Sequence, residues 1–155
     1  MTAAKAFEAS QAVKDGADEL DMVINITALK DRDYDFVLND IKEVVKASGD
    51  KAVKVILETD ALSKEEIEKA CQLCAEAGAK FVKTSTGFFA NGVGATAENV
   101  KLMFETVKDF GLQVKASGGI KSQEKAQELI EAGATRLGTS SGVEIVKGLT
   151  SKSTY

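Results

Sequence analysis

Two lysines in the 155-residue chain sit where β-rich runs give way to glycine and hydroxyl residues: Lys83 in FVKTSTG (Phe81 to Gly87) and Lys115 in VKASGG (Val114 to Gly119). An amine attacks a carbonyl only when unprotonated, and a normal lysine pKa of about 10.4 leaves almost none in that form at neutral pH. A second ammonium nearby, helped by desolvation, lowers that value and creates a Schiff-base nucleophile. Lys83 is the candidate nucleophile and Lys115 the neighbour that perturbs it. Asp21, at the same strand parity one strand-set away, is the candidate for moving protons and orienting water during carbinolamine formation and C–C cleavage.

Two glycine-rich runs supply a second half of a site. Ser117-Gly118-Gly119 precedes a helix starting near Ser122, and Gly138-Thr139-Ser140-Ser141-Gly142 precedes a short last helix. Both offer backbone N–H groups at helix starts, the usual means of holding a phosphate after the last two strands of a barrel. Tight turns are the plainer reading of the same glycines. The loop GFFANGVGAT from Gly87 to Thr96 reads equally as a lid or as a surface connection.

The elements that must position these groups alternate regularly. A helix is expected from Thr2 to Lys14, then strands near Glu19 to Ile26, Ala52 to Leu57, Phe81 to Thr84, Gln113 to Ala116 and Arg136 to Gly138. Helices near Tyr34 to Ala47, Ser63 to Ala77, Thr96 to Phe110, Ser122 to Ala132 and Val143 to Lys147 complete the pattern. Gly16, Gly49, Gly78, Gly111 and Gly133 mark the helix-to-strand junctions, and DGADELDMV, EAGAKFVKT and EAGATRLGT nearly repeat one another there. Such an order calls for a parallel sheet with right-handed crossovers. It fits either an open five-stranded α/β sheet or five units of a (β/α)8 barrel, whose eight units take about 250 residues.

Parallel strands are usually apolar throughout because both faces are covered. Here Glu19, Asp21, Val23 and Asn25, then Lys54, Ile56 and Glu58, then Lys83, then Lys115 and Ser117 form one mainly polar set of a single parity. That set points to a barrel lumen, with a solvated sheet face as the bland alternative.

The rest of the sequence excludes more than it adds. There is no histidine, so the chain by itself builds neither a Ser-His-Asp nucleophile nor an H-E-x-x-H zinc site. The net charge of -4 comes without a basic run, which argues against a nucleic-acid partner. No spanning helix or secretory signal is visible and no membrane partner is expected, so the expected location is cytoplasmic. Cys71 and Cys74 lie mid-helix and are expected to be free thiols that pack in the core. Leu102, Met103, Phe104 and Phe110 read as helix-to-sheet packing.

Taken together, GADELDMVIN (Gly16 to Asn25), VKVILET (Val53 to Thr59), FVKTSTGF (Phe81 to Phe88), VKASGGI (Val114 to Ile120) and GATRLGTSSG (Gly133 to Gly142) closely resemble the deoxyribose-phosphate aldolase family. The resemblance covers nearly the whole chain. It implies a partial TIM barrel, reversible cleavage of 2-deoxy-D-ribose 5-phosphate into acetaldehyde and D-glyceraldehyde 3-phosphate, and no metal or organic cofactor. It implies the Schiff-base role for Lys83, the pKa-lowering role for Lys115 and the relay role for Asp21. Gly118, Gly119, Ser140 and Ser141 resemble phosphate-binding positions, and Thr86 a substrate-pocket position. Tyr155 matches a tail tyrosine that aids proton transfer in some members, while Phe88 stands where some members carry a phosphate-holding lysine.

The family's first three strands have no counterpart in these residues. Residues 1–148 are therefore read as one barrel-type domain lacking those strands and 149–155 as a tail, with a homo-oligomer as the expected assembly. Two alternatives stand beside the aldolase: a non-catalytic truncated barrel that binds phosphate esters or contributes to an assembly, and another sugar-phosphate barrel enzyme such as an isomerase. The paired lysines argue against the isomerase.

Overall fold

Gly78 and Gly133 take φ of +82° and +113°, left-handed backbone that glycine adopts without a Cβ penalty, and each turns a helix straight into the next strand. At Gly133 a side chain is excluded twice over, because a Cβ there would lie 2.5 Å from the Phe104 ring. Repetition of this junction produces the architecture. The computed structural model describes residues 1–149.

Five parallel strands, β1 (Glu19–Val23), β2 (Ala52–Ile56), β3 (Phe81–Lys83), β4 (Gln113–Ser117) and β5 (Arg136–Gly138), pair in sequence order. The helices are α1 (Thr2–Lys14), α2 (Ile26–Lys30), α3 (Tyr34–Ala47), α4 (Lys64–Glu76), α5 (Ala97–Val107), α6 (Gln123–Glu131) and α7 (Gly142–Val146). The expected capping box opens α4: Ser63 accepts from the Glu66 N–H, and Glu66 accepts from the Ser63 N–H. This satisfies two otherwise orphaned donors.

One face of the sheet carries Met22, Val53, Val55, Val82, Val114 and Ala116, all buried. Against it pack apolar helix residues such as Ile41, Ile67, Met103 and Leu129. Cys71 and Cys74 lie in this core, where burial pushes the Cys71 thiol up to about 12 and Cys74 well above its ordinary value. Such thiols are poor nucleophiles.

The opposite face is concave. Lys115 on β4 hydrogen-bonds Asp21 on β1, and Arg136 on β5 bonds Glu19 on β1. These strands are not neighbours, so their side chains meet only if the sheet curls toward closure. The chain thus forms an arc of a barrel whose inner face is the polar set.

Three local expectations need correction. The first strand ends at Val23 rather than Ile26, although the Ile24 N–H still reaches Ile56 O at 2.9 Å. Asn25 leaves the polar stripe to cap a short helix, α2, accepting from the Ala28 N–H at 3.0 Å. Asparagine competes well for that role because its side chain satisfies an orphan donor. Phe110 lies in a 3-10 turn (Lys108–Phe110) and is 65% exposed rather than packed on the sheet. Among the described residues no helix is long and apolar enough to cross a membrane.

Candidate active site

Strand register sets the first relation in the site. Lys83 and Lys115 are direct partners across β3 and β4, so their side chains leave the inner face at the same level. Both reach one oxygen: Lys83 Nζ lies 3.0 Å and Lys115 Nζ 3.2 Å from Asp21 Oδ2. The two amines therefore face each other across a single carboxylate oxygen. Lys83 is buried, which restricts water around the nitrogen that would attack.

The electrostatics follow from this triangle. For Lys115, burial and then the charge of Lys83 push the pKa below that of an ordinary lysine, against the opposing pull of Asp21. For Asp21, partial burial is the largest single influence and works upward. The hydrogen bonds and charges of Lys83 and Lys115 together outweigh it and hold the carboxyl below its usual value.

A third lysine, Lys54, joins from β2. Its Nζ lies 3.2 Å from Asp21 Oδ1 and 3.0 Å from Glu19 Oε2, and it is 4% exposed. Glu19 in turn binds Arg136. Hydrogen bonds from Arg136 and then Lys54 hold the Glu19 carboxyl below its ordinary value. The connected network contains four cations and two carboxylates. A concave face with that surplus draws in an anionic ligand. Sequence parity had placed Lys54 on this face, but nothing local marked it as the second clamp on Asp21.

Above the lysines opens a cleft of about 290 Å³, lined by Lys83, Thr86, Phe88, Lys115, Gly118, Gly119, Thr139 and Ser140 among others. The structure thus brings together six of the sequence candidates, with Asp21 joined to them through its hydrogen bonds. Gly138 is part of the wall, since a Cβ there would lie 3.2 Å from Lys115 Cε. Gly118 and Gly119 take φ of +87° and +72°. A side chain on Gly119 would meet Val93 O at 2.8 Å. A larger cavity of about 470 Å³ lies between α1 and β1, lined mostly by aliphatic residues such as Ala9, Leu20 and Met22. It lacks the lysine pair.

Ser141 departs from its expected place. Its side chain is buried rather than lining the cleft, its hydroxyl has no partner among the described residues, and its N–H donates to Thr139 Oγ1 at 2.9 Å. Thr139, which sequence reasoning missed, also donates to Ile120 O at 2.7 Å and so straps the two glycine loops together. Its only signal was a hydroxyl between Gly138 and Ser140. Tyr155 lies outside the described residues.

The segment after Lys83 is fastened on both sides. Thr84 Oγ1 donates to Ser117 O at 2.9 Å and accepts the Ser117 N–H at 3.0 Å. Glu58, two residues past β2, accepts from both the backbone N–H and the hydroxyl of Thr86. Asp60 accepts the N–H groups of Val93 and Gly94 at 3.0 and 2.9 Å, anchoring the Gly87 to Thr96 loop. Glu58 and Asp60 were also missed as site-shaping residues, because a lone carboxylate carries no sequence mark of its partner.

Comparisons with known proteins concern the chain as a whole. The family model described as DeoC/LacD family aldolase matches residues 1–150. The chain is 60% identical over 154 residues to a deoxyribose-phosphate aldolase of Staphylococcus carnosus, covering 99% of this chain and 69% of that protein. It is 58% identical to deoxyribose-phosphate aldolase 1 of Mesoplasma florum, with the same coverage. Among solved structures, an aldolase called QR15 superposes with a TM-score of 0.88 at 49% identity, over 95% of this chain and 65% of that one. The tetrameric deoxyribose phosphate aldolase from Aeropyrum pernix gives 0.85 at 32% identity, over 95% and 61%. The chain thus spans about two thirds of the length of these relatives.

Proposed function

Because the chain belongs to the DeoC/LacD family of aldolases, we propose that its curled inner face performs the deoxyribose-phosphate aldolase reaction. The observation that carries this reading is a single carboxylate oxygen, Asp21 Oδ2, shared by the inward-facing amines of Lys83 and Lys115.

In this reading Lys83 Nζ adds to C1 of the open-chain sugar phosphate, and loss of water gives an iminium. The C2–C3 bond then breaks. Its electrons flow toward the iminium to leave an enamine, and the C3 hydroxyl gives up its proton as glyceraldehyde 3-phosphate forms. Protonation at C2 and hydrolysis release acetaldehyde and regenerate the amine. Lys115 holds its proton less firmly than an ordinary lysine, and Asp21 bonds both amines. The pair is therefore placed to carry protons to and from the reacting atoms. Gly118, Gly119 and Ser140 line the end of the cleft that receives the phosphate, and Thr86 the wall beside it. Ser141 contributes by shaping its loop, and the inner-face charge surplus stands in for the lysine absent at Phe88.

Residues 1–148 act here as one barrel-type unit in a cytoplasmic protein; the expected tail lies, from residue 150 on, outside the described residues. Self-association belongs to the same reading, supported by exposed apolar side chains on the first and last helices, Phe7 on α1 and Val146 on α7. The test is borohydride trapping with deoxyribose phosphate or acetaldehyde. An adduct on Lys83 that disappears in Lys83→Leu is the expected result, and an adduct that persists in the variant overturns the assignment. Phosphate-ester binding without any adduct would favour the non-catalytic alternative.

A further inference from the structure

The Thr86 hydroxyl at the rim of the cleft is held between two fixed partners. Its oxygen accepts the Phe88 N–H at 3.0 Å, and its proton goes to Glu58 Oε2. Glu58 Oε1 also accepts the Thr86 N–H at 3.1 Å. A carboxylate offers only acceptor sites, so the Thr86 proton is drawn back toward Glu58 and away from the cleft. What Thr86 shows to a ligand is its remaining lone pair.

Glu58 is 5% exposed and does not line the cleft that holds Lys83. Its backbone sits at φ +58°, ψ 64°, a left-handed conformation unfavourable for a residue with a Cβ. Among the described residues its carboxylate has no salt-bridge partner, and its side chain bonds Thr86 alone. A strained, buried acid that binds one residue, through both its N–H and its hydroxyl, is placed to set that hydroxyl's polarity.

We propose that Glu58 is a specificity-determining positioning residue. By taking the Thr86 proton it makes Thr86 a hydrogen-bond acceptor, which selects acceptor aldehydes carrying a hydroxyl next to the carbonyl over those that lack one. The inference rests on the aldolase reading above and assigns the same cleft a residue that positions its acceptor contact.

Glu58→Gln keeps the side chain's shape, while its amide can donate to the Thr86 oxygen and free the Thr86 proton to face the cleft. Rates are measured in the synthetic direction, with acetaldehyde as donor and either glyceraldehyde 3-phosphate or 3-oxopropyl phosphate, which lacks the hydroxyl, as acceptor. The ratio of kcat/KM between the two acceptors is expected to fall about tenfold in Glu58→Gln, through KM for the hydroxylated acceptor. Thr86→Val, a milder change at a half-buried position, is expected to lower the ratio to the same extent, and the double variant no further. Trapping of acetaldehyde on Lys83 in the same preparations separates two failures. No adduct in the unaltered protein means that the aldolase reading fails. An adduct with an unchanged acceptor ratio in both variants overturns the role of Glu58, and so does a ratio lost in Thr86→Val but kept in Glu58→Gln.

Discussion

The two faces of the same five strands obey opposite rules. Along β2, Val53 and Val55 point into the helices while Lys54 between them points into the arc, and along β4 Val114 and Ala116 flank Lys115 in the same way. The outer face gains stability from buried apolar area, about 25 cal/mol per Å². The inner face holds four cations around two carboxylates, and taking those charges out of water works against folding. Stability on one side of the sheet therefore supports chemistry on the other.

That contrast can be broken in order of effect. Lys83→Leu is expected to abolish the borohydride adduct altogether while lowering the melting temperature only modestly, since Asp21 keeps Lys54 and Lys115 as partners. On the outer face Met103→Ala should do the reverse. It removes a fully buried side chain and should cost about 2–5 kcal/mol in urea unfolding, with activity per folded molecule unchanged.

Lys54→Met would sharpen the comparison, because Lys54 clamps Asp21 without lining the cleft. Misplacing the relay carboxylate should lower kcat/KM about 100-fold, while thermal unfolding shows a modest loss, because Glu19 keeps Arg136 and Asp21 keeps Lys83 and Lys115. Asp21→Asn tests the ion pairs by pH. The Asp21 carboxyl is held below its ordinary value of 3.8, so its contribution to stability is complete above that pH and is lost as the pH falls through the lower folded value. Urea unfolding of the unaltered protein and of Asp21→Asn should therefore differ most near neutrality and converge below pH 3.8. The smallest effect is expected at Phe110, whose exposed ring belongs to neither face: Phe110→Ser should shift stability by no more than about 0.5 kcal/mol.

Much of this division is legible in the sequence. Alternation of Val53-Lys54-Val55 and of Val114-Lys115-Ala116 announces a strand with two unlike faces, because successive side chains on a strand point opposite ways. Helix α1 and strand β5 end where periodicity and glycine placement put them. The misses have local causes. Asn25 reads as a strand residue by parity yet is also a strong helix cap, and the capping hydrogen bond prevailed. Phe110 continues an apolar helical stripe, but the helix tightens into a 3-10 turn before reaching it.

By itself the sequence determined the strand and helix order, the parity that turns lysines inward, and the placing of Lys83 and Lys115 on successive strands, because each depends on neighbours a few residues away. Only the tertiary structure decided that Asp21 lies between Lys83 and Lys115, since the last of these is 94 residues from it and two strands intervene. The same holds for the clamp of Lys54, the strap of Thr139 and the grip of Glu58 on Thr86. Each contact depends on how far the sheet curls, and curl accumulates from the twist of every strand and the packing of every helix behind it.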